Sequence, residues 1–309
     1  MTGQPRGSTI LVTGATGAVG FAVAAVLAEH HEVWGLARYR AAADRERVTA
    51  AGIRPVAVDF DTATPDTLAE VLPAVDDVLH FAANVRTEPD FDRALRDNAE
   101  PAALLMAHYR DTVRFLHCSS TGVYHPDPRP RRESDALGEY MRPVNPSYSV
   151  SKISAEAVVR STARITGTPT TIARLNVPYG DGIGLPALHL RSILAGEPVA
   201  VRADDPNLFA PLHTDDIART APALLAVADT PPTVVNWAGD EPIGVREWSA
   251  YLGELTGREV SLLETDRMIG TMLPDVERLR EIVGGPLCAV GWEEGFRRMV
   301  AAEVGGLVA

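Results

Sequence analysis

Glycines 14, 17 and 20 stand between a short apolar run, Thr9–Thr13 (TILVT), and a segment whose Val19, Ala22, Val23, Val26 and Leu27 recur at helical spacing. A buried strand that turns straight into a helix is a demanding junction. The turn itself, the closest approach of backbone to a ligand, and the packing of helix on strand each favour a residue with no side chain. The helix start leaves backbone N–H groups unbonded and carries a partial positive charge, which suits a diphosphate. Turns use glycine freely, so the triplet alone says little. Its place at the first strand–helix junction of a repeating pattern is what the phosphate-binding role requires. The spacing predicts a dinucleotide loop built from Gly14, Thr16, Gly17, Ala18, Val19 and Gly20.

The same rhythm continues. Glu32–Ala37 (EVWGLA) reads as a second strand, 45–51 as a helix, 54–58 as a third strand and 67–72 as a helix. A fourth strand at 77–81, one long helix across 91–109 and a fifth strand at 113–118 follow. Alternation with short loops predicts an α/β fold, a Rossmann-type doubly wound parallel sheet. The proline- and arginine-rich stretch 123–146 is expected to be a surface loop, since its prolines exclude a long helix or a central strand. A helix at 147–166 and a strand at Thr170–Leu175 resume the pattern. From Tyr179 the texture shifts to short elements with many Gly and Pro, predicting a smaller C-terminal substrate-binding lobe. Residues 215–228 and 233–236 read as a helix and strand returning to the sheet. The expected division is 1–178 plus 213–238 for the dinucleotide domain, with 179–212 and 239–309 for the smaller lobe.

Composition closes off other classes. The chain has 309 residues, 46% hydrophobic and 23% charged, ordinary for a globular protein able to bury its own core. Its net charge of −12 disfavours nucleic acid, and the densest basic run, 129–132, is broken by Pro130. Two cysteines exclude a disulfide framework and suit a reducing compartment. No 18-residue stretch lacks charge, so no membrane span is expected, and the polar N-terminus does not read as a signal peptide. A cytoplasmic protein is the expectation. His80, His117 and His213 lack ligand spacing, so no metal is expected.

The second strand should end near the adenosine ribose. A carboxylate there binds the 2′-OH of NAD, whereas arginine accommodates the 2′-phosphate of NADP. Here Arg38 follows Ala37 and no acid is present, which favours NADP over NAD; an arginine stacked on adenine would admit NAD as well. Asp59 and Phe60, after the third strand, are candidates for the adenine. Ala82 and Ala83 are small where the cofactor backbone should pass.

Tyr148 and Lys152 are four residues apart at the start of a helix and so share a face. Ser119, Ser120 and Thr121 follow directly on the fifth strand. Hydride transfer at a carbon must be matched by proton transfer at its oxygen. A free phenol has a pKa of about 10, and bringing it close to neutrality takes about 3–4 kcal/mol of differential stabilisation. A neighbouring ammonium supplies such stabilisation, and a hydroxyl from the strand can hold the substrate oxygen.

These motifs resemble the extended short-chain dehydrogenase/reductase superfamily, in its NAD-dependent epimerase/dehydratase-like branch. The resemblance rests on TGATGAVG at 13–20, HFAA at 80–83, SSTGVY at 119–124, YSVSK at 148–152, RLNVPYG at 174–180 and HTDDIA at 213–218, and spans nearly the whole chain. It implies that Ser120 is the catalytic hydroxyl and Tyr148 the general acid/base. Lys152 would bind the nicotinamide ribose and tune Tyr148. Asn98 would have a structural or proton-relay role, and the protein would be a homodimer.

Departures narrow the chemistry. Dehydratases of this branch follow the hydroxyl residue with Asp-Glu; here Thr121-Gly122 stand there, without acid or base. Sugar-nucleotide members place Asn three residues after the arginine of the sixth strand, where this chain has Val177 with Asn176 one residue early. They also carry Arg four residues before the histidine of HxxD, where this chain has Phe209. The leading expectation is therefore an NAD(P)-dependent oxidoreductase interconverting a secondary alcohol and a ketone of a small molecule. Thr121, Arg86, Asn176 and His213 are candidate substrate contacts, with Arg191, Arg202 and Arg267 as other candidate anion-binding groups. The alternative is an NAD-dependent epimerase of a nucleotide-linked sugar. A non-catalytic dinucleotide sensor is the third reading, and the Tyr–Lys pair counts against it.

Overall fold

Seven strands form one sheet in the computed structural model, which describes residues 7–85, 89–180 and 182–308. β1 is Thr9–Thr13, β2 Glu32–Ala37, β3 Arg54–Ala57, β4 Asp77–His80, β5 Arg114–Ser120 and β6 Thr170–Leu175. The order across the sheet is Thr233–Trp237, β6, β5, β4, β1, β2, β3. β1 runs parallel to both β2 and β4, so the chain direction of strand addition reverses between β1 and β4. In doubly wound sheets that reversal opens a ligand crevice at the carboxyl ends of the strands. The strand Thr233–Trp237 joins the sheet beside β6, the return expected from the sequence.

The strands read as near-continuous apolar runs because helices cover both faces of such a sheet. Leu11, Leu36, Val78, Leu105, Phe115 and Ile172 belong to one buried cluster. Each such side chain contributes about 1.5–3 kcal/mol relative to exposure. The helices between the strands are α1 (Ala18–Ala28), α2 (Ala42–Ala50), α3 (Pro65–Val71), α4 (Phe91–Asn98), α5 (Glu100–Tyr109) and α6 (Pro146–Thr166). The single helix expected over 91–109 is two, broken at Ala99, whose φ is −105°. Pro101 accounts for the break: it has no N–H to donate back to residue 97, and its ring crowds that carbonyl.

The chain divides into two compact units. The first takes the chain up to Ser119 with Val150–Ala173 and Ala218–Val235; the second takes Ser120–Ser149, Arg174–Ile217 and the chain from Asn236 on. Residues 120–149, which the sequence boundary at 178 leaves with the first lobe, therefore belong to the second. This segment is not simply a surface loop. Tyr124, Arg131, Tyr140 and Asn145 in it are buried. Arg131 pairs with Asp127 at 3.0 Å, and the Tyr124 hydroxyl donates to Asn236 Oδ1. Its prolines prevented regular structure without preventing burial. The second unit has its own core, with Tyr179, Phe209, Trp248 and Phe296 all buried within it. No helix among the described residues is long and apolar enough to cross a membrane.

Candidate active site

β1 ends at Thr13 and the chain turns through Gly14, whose φ is +71°. A Cβ on Gly14 would lie 2.9 Å from the Ala82 nitrogen, and one on Gly20 would lie 2.4 Å from the Gly14 carbonyl oxygen. Both glycines are demanded by neighbouring backbone. Gly17, the N-cap of α1, differs: it is exposed, has φ −80°, and its Cβ would come no nearer than 3.2 Å to Gly14 O. The backbone presses on Gly17 far less than on Gly14 or Gly20, through that one carbonyl oxygen alone. The first turn of α1 holds no acidic residue. This cradle fits a diphosphate. The Thr13 hydroxyl accepts from the Ala82 N–H at 3.0 Å, tying β1 to the HFAA segment.

Arg47 was not legible from the sequence. From α2 its guanidinium donates to the Thr16 carbonyl at 2.7 Å and lies over the Phe21 ring. It braces the turn from 31 residues away, and no local pattern announces it. Arg38 is exposed just beyond β2. Asp59 pairs with Arg40 at 3.4 Å, Phe60 packs on the core, and Ala82 and Ala83 lie just past β4. Arg86 lies outside the described residues.

α6 carries Tyr148 in its first turn and Lys152 one turn on. Lys152 is buried, and its Nζ donates to the Cys118 carbonyl at 2.9 Å. Burial lowers its pKa, while Cys118 and Glu156 act in the opposite sense. Glu156, fully buried another turn along, accepts from the Ser119 hydroxyl at 2.7 Å and from Arg160 at 3.1 Å. Its signal in the sequence was an acid four residues after Lys152, on the same helix face.

Ser120 and Tyr148 flank Gly122. A Cβ on Gly122 would be 3.2 Å from Ser120 Oγ and 3.4 Å from Tyr148 Cε1. Ser120 Oγ accepts from the Gly122 N–H at 3.0 Å, which leaves its own hydrogen to donate. The geometry therefore puts a hydroxyl and a phenol on either side of one small residue, with an ammonium further along the helix that bears the phenol.

Asn98 is buried and occupied. Its carbonyl accepts from the Asn84 N–H at 2.6 Å, and its amide donates to Asn84 O and to Ser151 Oγ. This is a clamp on the segment after β4. Asn176 is likewise engaged: it donates to Thr121 Oγ1 at 2.8 Å and accepts from the Ala210 N–H at 3.1 Å. His213 is buried and accepts from the Asp215 N–H, while Asp216 receives the N–H groups of Ala289 and Val290. Arg191 is held by Glu303 and by the Gly182 carbonyl. Phe209 lies in the core beside Trp248.

His80 and His117 face each other across β4 and β5, rings stacked at 5.5 Å and both buried. Thr13 Oγ1 meets His80 Nδ1 at 2.8 Å; His80 Nε2 and both His117 nitrogens have no partner among the described residues. Burial, then the Lys152 ammonium, push His80 down to about 3, and His117 is lowered by burial, Lys152 and His80. Both rings are neutral at pH 7. The unfolded chain binds their protons below about pH 6.5 and the folded one does not, so stability falls as pH drops from there towards 3. His117→Phe is expected to flatten that loss; melting temperatures between about pH 7 and pH 4 check it.

No curated protein matches this chain. Among solved structures, it is similar to UDP-glucuronic acid 4-epimerase from Bacillus cereus, in complex with UDP-glucuronic acid and NAD (TM-score 0.81, 18% identity, covering 97% of this chain and 99% of that one). It is also similar to UDP-glucose 4-epimerase from Thermotoga maritima with UDP-glucose (TM-score 0.80, 21% identity, 97% and 99%). A third is UDP-N-acetylglucosamine 4-epimerase from Methanobrevibacter ruminantium in complex with UDP-N-acetylmuramic acid (TM-score 0.82, 18% identity, 98% and 100%). These likenesses establish the fold, and nothing in them supports the NADP preference expected from Arg38. Residues 10–238 match the profile that the glycine turn, the YSVSK helix and the HTDDIA segment had pointed to, and the chain belongs to the NAD dependent epimerase/dehydratase family.

Proposed function

We propose that this protein is an NAD-dependent epimerase acting on a secondary alcohol of a nucleotide-linked sugar. The observation that carries the reading is the pairing of Ser120 and Tyr148 around Gly122, with Lys152 one helical turn further along. In this reading bound NAD supplies a reversible hydride acceptor. Ser120 donates its hydrogen to the reacting oxygen and Tyr148 takes that oxygen's proton and later returns it. Lys152, four residues on along the same helix, would supply the positive charge that favours an ionised phenol. Gly14, Gly17 and Gly20 with the α1 N-terminus would hold the diphosphate, and Arg38, just past β2, would lie on the adenosine side.

The epimerase reading replaces the simple reductase as the preferred one on the strength of the comparisons. The similar structures are UDP-sugar epimerases. Phe209 and Val177 favour the second reading, a carbonyl reductase whose substrate has no nucleotide.

Turnover distinguishes the two. The purified protein is expected to retain NAD and to interconvert UDP-sugar epimers with no net change in nicotinamide absorbance. Steady consumption of added NADH or NADPH with a simple ketone, and no interconversion of any UDP-sugar, would overturn the epimerase assignment.

A further inference from the structure

Ser149, next to Tyr148 on α6, is fully buried. Its hydroxyl donates to the Gly122 carbonyl at 2.6 Å and accepts from the Met141 N–H at 3.1 Å. One side chain thus ties three segments together: the turn after β5, the stretch 139–145, and the first turn of α6. Two further bonds complete the arrangement. The Tyr148 N–H donates to the Asn145 carbonyl at 3.2 Å, and the Asn145 N–H donates to the Met141 carbonyl at 2.7 Å. The peptide that Ser149 grips is that of Gly122, which lies between Ser120 Oγ and the Tyr148 ring.

Gly122 leaves little slack. A Cβ there would come within 2.8 Å of Met141 Cγ. The spacing between the Ser120 hydroxyl and the Tyr148 ring is thus set by how Gly122 and Met141 are held, and Ser149 holds both. Helix propensity does not explain a serine here, since alanine is the better helix former in a buried mid-turn position. Serine supplies instead the donor and acceptor that two non-helical segments need.

We propose that Ser149 is a positioning residue, which sets the Ser120–Tyr148 geometry through its paired hydrogen bonds to Gly122 and Met141. The proposal rests on the catalytic reading of Ser120 and Tyr148 given above. Ser149→Ala removes both bonds while leaving the phenol, the hydroxyl and the ammonium in the chain. A misplacement on the order of 1 Å can cost about 10²-fold in rate. Turnover in Ser149→Ala is accordingly expected to fall about 10- to 100-fold, with NAD affinity changed by less than about threefold.

The test pairs kinetics with a probe that does not depend on activity. The full-length protein is labelled with 3-fluorotyrosine, and the Tyr148 resonance is identified by its loss in Tyr148→Phe. Ser149→Ala should shift or broaden that resonance and lower kcat more than KM. Thr171→Val, which removes a buried hydroxyl bond to the Leu224 carbonyl in the other unit, serves as the structural comparison. It should lower the melting temperature without moving the Tyr148 resonance or kcat. An unchanged resonance and unchanged kcat in Ser149→Ala, while Tyr148→Phe is inactive, would overturn the positioning role and leave the catalytic reading standing. Full activity in Tyr148→Phe would remove the catalytic reading, and the resonance alone would then decide whether Ser149 positions Tyr148.

Discussion

Tyr148→Phe is expected to lower turnover by about 10²–10⁴-fold while NAD affinity stays within about threefold, because general acid–base catalysis by a positioned side chain contributes that much. The substitution removes one oxygen. The aromatic ring beside Gly122 remains, so the turn after β5 and the start of α6 keep their packing. Lys152 keeps its bond to the Cys118 carbonyl and its neighbour Glu156, both within the first unit. Loss of turnover with intact cofactor binding is therefore a statement about proton transfer. Calorimetric titration with NAD and a sugar-epimerisation assay read the two quantities separately. Wild-type turnover in the variant would show that the proton is handled elsewhere.

The second large effect separates two glycines of one turn. Gly20→Ala is expected to destabilise the protein by about 1–3 kcal/mol or more, since its Cβ would press into the Gly14 backbone, which has no side chain to swing aside. Melting temperature and dinucleotide binding should fall together. Gly17→Ala should behave differently. Its backbone is in an ordinary extended conformation and the position is exposed, so stability should change by less than about 1 kcal/mol. The added methyl group would instead stand at the open end of α1, where the diphosphate must approach the N–H groups. NAD affinity should fall about tenfold or more with the melting temperature nearly unchanged. Unaltered binding in Gly17→Ala would mean that the turn does not face the cofactor.

Much of the fold could be read in advance because its causes are local. β1, β2 and β6 have the bounds that their apolar runs suggested, and the glycine turn lies where strand meets helix. One departure has a local cause and another a distant one. The break at Ala99 followed from Pro101, a signal present in the sequence and outweighed by the apolar periodicity around it. The stretch 123–146 was read as surface because proline excludes regular structure. Its burial depends on partners such as Asn236, 112 residues from Tyr124, and Asp275, whose N–H donates to the carbonyl of buried Arg131. The partners of Asn176, Thr121 and Ala210, are likewise distant in the chain.

Strand period, helical i to i+4 spacing and the glycine turn involve residues within a few positions of one another, so the amino-acid order alone settled the layered α/β architecture, the glycine turn between β1 and α1, and the shared helix of Tyr148 and Lys152. Which side chains brace those groups was decided only by the folded chain. Arg47 reaches Thr16 across 31 residues, Ser149 reaches Gly122 across 27, and Glu156 reaches Ser119 across 37. The physical reason is that a hydrogen bond depends on where two atoms meet in space. For residues on different strands and helices, that meeting point is set by how the crossovers pack, which no periodicity in the chain encodes.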